Sequence, residues 1–266
     1  MPKYLVGAIV AIAVVTTSVG GYILWPSNVS AQEILEQSRE RSANVVSYTA
    51  KTVGQEITSA RTDDVVVLSK FNIHGELHVV GQSPTRGDYD EQITVKEYTY
   101  TRRSPDELWV RHKIPAPDIS VDPVAFAFSS TGDSTLASLS DAGTIEENGR
   151  TLIKLTAETD MIKRAATIWP DSNQLNEGQR ARLESPRKQF ELGSQHIVFW
   201  IGEDDGLLYR IQVSESFPTV GELEEYHNEY TREYYDFNST IIEAPDESEV
   251  IDAPESGEPP PSPTDK

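Results

Sequence analysis

Three consecutive carboxylates, Glu203, Asp204 and Asp205, stand beside Gly206 between two apolar runs in the stretch FWIGEDDGLLYRIQVSESF. Paired carboxylates carry acid–base chemistry when their surroundings separate the two pKa values. Carboxylates at alternate positions over about a dozen residues can hold Ca²⁺. The three acidic residues show neither arrangement. Asp205-Gly206 is instead a strong hairpin signal, because glycine accepts the positive φ of a tight two-residue turn. We therefore predict a plain turn with its carboxylates in water.

Two histidines, His74 and His78, have the spacing of a metal-binding pair on a helix. The surrounding alternation and Gly75 predict a strand instead, on which residues four apart stand roughly 13 Å from each other. We therefore expect solvent-facing histidines and no metal site. The sequence has neither a G-x-S-x-G nucleophile motif nor a glycine-rich phosphate loop, so it does not favour an enzyme or a bound cofactor.

The amino-acid composition excludes several further kinds of functional site and binding partner. The 266 residues contain no cysteine, which excludes disulfides, thiol catalysis, cysteine–zinc sites and an acylated-cysteine anchor. The net charge of −20 opposes nucleic-acid binding, because that binding depends on Lys and Arg neutralising phosphates. Charge alone would not hold such a chain on an anionic membrane surface either.

The segment Tyr4–Trp25 carries no charged residue. As a helix it would span roughly 33 Å, enough to cross a bilayer. A lysine precedes it, which predicts a cytoplasmic N-terminus and an extracytoplasmic main domain. Cleavage after Ala31, as in a signal peptide, is the alternative. The length of the run and a capping box formed by Ser30 and Glu33 favour an uncleaved membrane anchor over residues 1–29.

The main domain is predicted over residues 30–242, where one helix precedes a series of antiparallel strands. The helix is expected from Ser30 to Ser42. The stretch from Asp88 to Lys113 is interpreted as two strands joined at Ser104-Pro105-Asp106, and Asn148-Gly149 is the favoured pair for a hairpin turn. Met161 to Gln195 forms a polar insert whose structure the sequence does not define.

Alternation along the strands predicts one strongly apolar face. Such a face needs a cover, for which the first helix and the region Pro115 to Gly143, interpreted as short helices, are candidates. The face suits the wall of a cavity, and it equally suits a dry, filled core. The residues predicted on this face are Phe71, Ile73, Leu77, Val79, Ile197, Phe199, Ile201, Leu207, Tyr209, Ile211 and Val213.

The C-terminal segment, residues 243–266, contains eight acidic residues, six prolines and a single lysine. Because it has few apolar groups to offset its ordering entropy, we predict a disordered acidic tail.

Four stretches resemble the LolA-like superfamily of extracytoplasmic lipoprotein and lipid carriers, which includes the LppX/LprG-type proteins. They are AQEILEQSRERSANVVSYTAK, YTYTRRSPDELWVRH, VFWIGEDDGLLYRIQVSES and YYDFNSTIIEAPDES, in this order along the chain. The resemblance implies an α+β fold in which a curved antiparallel β half-barrel is closed by helices and holds acyl chains in an apolar concavity. It makes the eleven residues predicted on the apolar face, from Phe71 to Val213, the candidate lipid-contacting residues. It implies no catalytic residue, and no polar binding motif of the family aligns.

The resemblance therefore implies a non-catalytic protein of the bacterial cell envelope that binds a lipid or an acylated lipoprotein, and the N-terminal segment predicts that a helix attaches it to the membrane. The alternative is a membrane-anchored interaction or regulatory module with a filled core, whose partner is a protein.

Overall fold

A computed structural model describes residues 29–114, 136–169 and 176–253. These ranges contain three α-helices and twelve strands. The helices are α1 (Ala31–Ser42), α2 (Met161–Ile168) and α3 (Glu177–Glu191). The strands are β1 (Ser47–Thr58), β2 (Thr62–Asn72), β3 (Leu77–Ser83), β4 (Asp88–Val95), β5 (Tyr98–Arg102), β6 (Trp109–Lys113), β7 (Leu136–Glu147), β8 (Arg150–Thr159), β9 (Ser194–Gly202), β10 (Leu208–Phe217), β11 (Tyr226–Tyr235) and β12 (Val250–Asp252).

All twelve strands belong to one open sheet with the order β12-β6-β5-β4-β3-β2-β1-β11-β10-β9-β8-β7. Strands β1 to β6 form one antiparallel meander and β7 to β11 form another, and the pairing of β1 with β11 joins the two. Only β12 pairs in parallel, with β6. The predicted antiparallel sheet with helices is therefore confirmed.

The turn chemistry read from the sequence is found in the structure. Asn148 and Gly149 both have positive φ, 52° and 75°, as the tight hairpin turn between β7 and β8 requires. Gly206 has φ 69° in the second predicted hairpin. The connection between β9 and β10 is longer than the predicted two-residue turn. The Asp205 carboxylate stabilises it by accepting the Leu207 amide at 3.0 Å.

Helix α1 begins with the predicted capping box. The Ser30 amide donates to the Glu33 carboxylate at 2.8 Å, and the Glu33 amide donates to the Ser30 hydroxyl at 3.3 Å. The Ser30 hydroxyl also donates to this carboxylate, at 2.9 Å, and the two hydrogen bonds that the carboxylate accepts from Ser30 lower the pKa of Glu33. Four residues of one helix stripe are buried: Ile34, Leu35, Ser38 and Ser42.

Two regions differ from the predictions. Leu136–Glu147, which includes the end of the expected short helices, is the edge strand β7, while residues 115–135 lie outside the described ranges. The segment after Glu243 forms a short 3₁₀ helix and strand β12 as far as it is described. Arg111 holds this segment through ion pairs with Glu247 and Asp252, at 2.9 and 2.7 Å.

Within the described ranges, no helix is both long enough and apolar enough to cross a membrane. The predicted span Tyr4–Trp25 lies outside those ranges.

Candidate functional site

The sheet has an inner face, defined here as the face that α1 covers, and an opposite outer face. Strand register places five side chains side by side in one row of the inner face: Val67, Thr52, Arg232, Ile211 and Phe199. Residues that are directly paired across strands share a face, so this row connects the two meanders. It passes from half-buried positions, at Val67, Thr52 and Arg232, to fully buried ones at Ile211 and Phe199.

The inner face of β8 to β10 forms a filled core beneath Ile34 and Leu35 of α1. The candidates Ile197, Phe199, Ile201 and Val213 are 0% exposed and Ile211 is 2% exposed. A side chain without accessible surface cannot line a cavity that holds even one water molecule. These five residues could contact a lipid only if α1 moved away, so their predicted lipid contact stays a prediction.

A β-bulge at the start of β10 exchanges the faces on which Leu208 and Tyr209 were predicted to lie. The register shifts between Leu208 and Arg210, and Leu208, 2% exposed, enters the core. Tyr209 packs instead with the outer-face cluster of Leu152, Val198 and Trp200. The predicted alternation placed Tyr209 on the apolar inner face, and the bulge is the reason for the difference.

Burial and a 2.6 Å hydrogen bond from the Tyr209 hydroxyl to Asp205 raise the pKa of this tyrosine. Leu207, just before the bulge, is partly buried against the core.

The inner face of β2 and β3 is half-buried rather than filled. Phe71 and Leu77 are paired across the two strands, and Val79 follows on the same face. Val65 and Val67 extend this apolar surface along β2. We call these five residues the open apolar patch.

Sequence reasoning missed Val65 and Val67, because the run DDVVVL shows no alternation that separates inward from outward positions. Ile73, grouped with Phe71 in the prediction, follows the end of β2 in a turn and is 49% exposed.

A groove of about 150 Å³ lies between the open apolar patch and the filled core, across β2, β1 and β11. Gly54 keeps it open, because a side chain there would collide with Tyr230 on the paired strand. The Nε of Arg232 donates to the Thr52 hydroxyl at 2.8 Å inside this groove. The groove is lined by Thr52, Gly54, Gln55, Glu56, Val65, Asn228, Tyr230 and Arg232.

A polar cluster around Glu215 borders the groove. The Glu215 carboxylate accepts hydrogen bonds from Gln195 at 2.6 Å, from Arg164 at 3.1 Å and from Asn228 at 3.1 Å. Gln195 is 1% exposed, so this network fixes the carboxylate within the protein. Burial raises the pKa of the neighbouring Tyr230, and the Glu215 charge raises it further.

Aromatic rings connect α2 and α3 to the part of the inner face that lies next to Glu215. Trp169 meets Phe190 edge-on at 4.9 Å, Phe190 stacks on Phe217 at 5.5 Å, and Phe217 stacks on Tyr226 at 5.8 Å. Contacts of this geometry add to the packing beyond their buried area. The two helices therefore cover the inner face beside the Glu215 cluster.

The outer face carries a separate buried network. Glu91, 5% exposed, accepts hydrogen bonds from Tyr89 at 2.5 Å and from Arg102 at 2.6 Å, and it contacts the ring of His78 at 2.7 Å. Arg102 lies over the Trp109 ring at 4.4 Å. His78, predicted to face solvent, is therefore half-buried in an ion-pair network. Across the described parts of the chain, no group of three or more His, Asp or Glu residues could hold a metal ion.

No protein-family model and no curated protein matches the chain. Among solved structures, LprF from Mycobacterium bovis is similar at 16% identity, covering 80% of this chain and 94% of that chain with a TM-score of 0.46. The lipoprotein LppX from Mycobacterium tuberculosis is similar at 11% identity, covering 79% and 96% with a TM-score of 0.43.

A LolA superfamily protein from Nitrosomonas europaea matches at 11% identity over 81% of this chain and 96% of that chain, with a TM-score of 0.27. The function is therefore inferred below from the residues of this chain.

Proposed function

We propose that the inner face of β1 to β3 binds the acyl chain of a lipid or of an acylated lipoprotein, without catalysing a reaction. The observation that carries this proposal is the contrast in burial along the inner face of the sheet. Phe199 and Val67 stand in the same cross-strand row, yet Phe199 is wholly buried beneath α1 and Val67 is half-buried.

Half-buried valine and leucine side chains leave apolar surface that a ligand can remove from water, at about 25 cal/mol for each Å². The open apolar patch presents this surface on two adjacent strands. An extended acyl chain could lie along it, with the β1–β11 groove at one side. In this arrangement the sheet acts as a curved half-barrel whose filled part supports α1 and whose open part holds the ligand.

We further propose that the domain acts outside the cytoplasm at a bacterial membrane. The uncharged segment Tyr4–Trp25 would attach it to the bilayer, and only a few residues separate this segment from Ser30 at the start of the domain. A domain tethered this closely would exchange lipid locally instead of travelling between membranes.

The test uses the full chain, purified from membranes in polymer-bounded lipid discs and released in the mass spectrometer. We expect an added mass that organic extraction removes and that proves to be an acyl lipid. Val67→Asp should abolish the added mass, because it places a charge in the open apolar patch. Val66→Asp is the matched control, since Val66 is half-buried on the outer face of the same strand.

Equal loss of lipid in Val66→Asp and Val67→Asp would contradict the proposal, because binding would then not depend on the face. A bare polypeptide mass for the unaltered chain would contradict it as well.

The second candidate is an interaction module with a filled core, and one observation favours it. Val46, Ile73 and Ile241 are exposed by 44%, 49% and 72%. The Ile73 amide donates to the Val46 carbonyl at 2.9 Å, and the Val46 amide donates to Asn238 at 2.7 Å, so this apolar rim is held in place. If the rim were the binding surface, Ile241→Asp would abolish binding of the protein partner, while the added lipid mass in the mass spectrum would be unaffected.

A further inference from the structure

The outer face of the sheet carries a cleft of about 350 Å³. It opens where the β7–β8 turn, the start of β10 and the end of β11 meet, and it is lined in part by Arg210 and Glu233, which are paired across the last two strands. Its volume lies within the 300–1,000 Å³ typical of small-molecule sites. Because the open apolar patch belongs to the inner face, the proposed acyl-binding surface does not use this cleft.

Two arginines and two glutamates line the cleft, so the charges of its lining balance. Arg210 donates to the Glu147 carboxylate at 2.5 Å, and its Nε lies 3.3 Å from Glu233. Arg150 supplies the second positive charge. A carboxylate ligand would approach both glutamates, and an ammonium ligand would approach both arginines. Since neither gains a net attraction from this lining, the cleft favours an uncharged ligand.

Arg150 is fixed in place but keeps its N–H donors. Its guanidinium lies 3.9 Å from the centre of the Tyr209 ring, and the Tyr209 hydroxyl is bonded to Asp205 at 2.6 Å. This cation–π contact orients the guanidinium without using its N–H groups. In residues 29–114, 136–169 and 176–253, no side chain or carbonyl accepts a hydrogen bond from this guanidinium. Its five donors are therefore available to a ligand.

Asn148 and Tyr235 also line the cleft and add further groups for a ligand. Asn148 is exposed at the β7–β8 turn, and Tyr235 is 38% exposed. Within the described ranges, neither the Asn148 side-chain amide nor the Tyr235 hydroxyl is hydrogen-bonded. Each of these groups can donate and accept, and the tyrosine ring can pack on an apolar face of a ligand. The cleft thus combines donors, acceptors and an aromatic ring in a lining without net charge.

From this combination we infer that the outer-face cleft binds one sugar ring of an uncharged glycan. The hydroxyl groups of a pyranose ring donate and accept hydrogen bonds, and its C–H groups form a face that packs on aromatic rings. Arg150 and Asn148 would bind hydroxyl groups, while Tyr235 would pack against the C–H face. The inference goes beyond the proposed function and does not depend on it, because the two ligands would bind opposite faces of the sheet.

The test uses the full chain in polymer-bounded lipid discs and saturation-transfer NMR, with empty discs as the blank. The probes are the methyl glycosides of glucose, galactose, mannose and N-acetylglucosamine. We expect at least one of them to bind with a dissociation constant of about 1 mM, as a few hydrogen bonds and one aromatic contact would produce. The uronic acid and the amino sugar of the same ring configuration should bind no more tightly.

Arg150→Gln should weaken binding about tenfold, as the loss of one well-made hydrogen bond does. Asn148→Gly should weaken it as well, and it keeps the turn because glycine accepts the φ of 52° at this position. Lys154→Gln is the matched control. Lys154 lies in the same strand as Arg150 and on the same face, over the Trp200 ring at 5.9 Å, but it does not line the cleft. Its replacement should leave binding unchanged.

The absence of saturation transfer to all four neutral glycosides would overturn the inference. Tenfold tighter binding of the uronic acid or of the amino sugar would overturn it too, because the cleft would then select a charge. Equal weakening by Lys154→Gln and Arg150→Gln would show that binding follows the charge of the surface and not the contacts of the cleft. None of these results would affect the proposed acyl-binding surface, whose lipid mass should be the same in Arg150→Gln as in the unaltered chain.

Discussion

Gly54 and Tyr230 are directly paired across β1 and β11, and a Cβ atom built on Gly54 would lie 2.7 Å from the Cβ of Tyr230. The same atom would lie 2.7 Å from the Glu229 carbonyl oxygen. Real Cβ atoms do not approach other atoms this closely, so the two strands depend on glycine at this position. The groove floor therefore exists because one residue of β1 has no side chain.

Gly54→Ala should lower the free energy of unfolding by about 1–3 kcal/mol, the typical cost of forcing an extra carbon into a packed site. Urea unfolding measures this change. Gly81→Ala is the matched control, because Gly81 lies in β3 on the same face and its nearest neighbour, the Asp90 carbonyl oxygen, is 3.8 Å away. Equal unfolding midpoints for the two variants would contradict the close contact.

The variants Ile211→Asp and Ile73→Asp should differ in stability, because one charge enters the filled core and the other stays at the surface. Ile211 is 2% exposed in the filled core, so an unpaired carboxylate there should prevent stable folding. Ile73 is 49% exposed, and its replacement should change the unfolding midpoint little. Circular dichroism with heating distinguishes the two. A folded Ile211→Asp protein would show that the space beneath α1 can admit water.

The sequence was informative where local chemistry decides the structure. Asn148-Gly149 and the Ser30–Glu33 capping box were found as predicted, because each depends on residues close in the chain. The stretch Asp88 to Lys113 contains three strands instead of two. Its first turn has Lys96 at φ 55°, a position without the glycine or proline that would mark a turn.

The binding face was harder to predict, because alternation identifies a face but not what covers it. Ile211 and Val79 both lie on the inner face, yet only Ile211 is packed beneath α1. Arg232 could not be selected from the sequence either. It contacts the Thr52 hydroxyl, 180 residues earlier in the chain, and only the fold brings these two residues together.

Glu91 should make stability depend on pH. Burial raises the pKa of Glu91, but hydrogen bonds from Tyr89, His78 and Arg102 outweigh burial, and the pKa is lowered overall. A carboxyl group with a lowered pKa in the folded state stabilises above its unfolded pKa, near 4.5, and loses this contribution as the pH falls through its folded pKa. The folded protein should therefore lose stability on acidification below about pH 5.

Glu91→Gln should remove this part of the pH dependence and lower stability at pH 7 by about 3 kcal/mol, because Arg102 would lose its buried partner. Urea unfolding from pH 3 to 7 measures both effects. Asp90→Asn, at the exposed neighbouring position, should leave the pH profile close to that of the unaltered chain. If the free energy of unfolding of Glu91→Gln kept the same slope against pH as that of the unaltered chain, Glu91 would not be the source of the pH dependence.

Arg111 should control whether β12 stays on the sheet. Its guanidinium binds Asp252 at 2.7 Å and Glu247 at 2.9 Å, and hydrogen bonding to Asp252 is the main reason that its pKa is raised. Since β12 has only three residues, Arg111→Gln should open it locally without unfolding the remaining strands. Hydrogen exchange at the β12 amides should accelerate at least tenfold, while exchange in β9 stays unchanged.

Lys113→Gln is the control for this experiment. Lys113 lies in the same strand and pairs with Glu97 at 3.2 Å, but this pair is exposed, and β12 pairs with Trp109, Val110 and Arg111 of the strand. Its loss should leave β12 protected, because exposed ion pairs contribute little. If both variants opened β12 equally, the overall positive charge of β6 would hold residues 247–252, and the specific contacts of Arg111 would not be the cause.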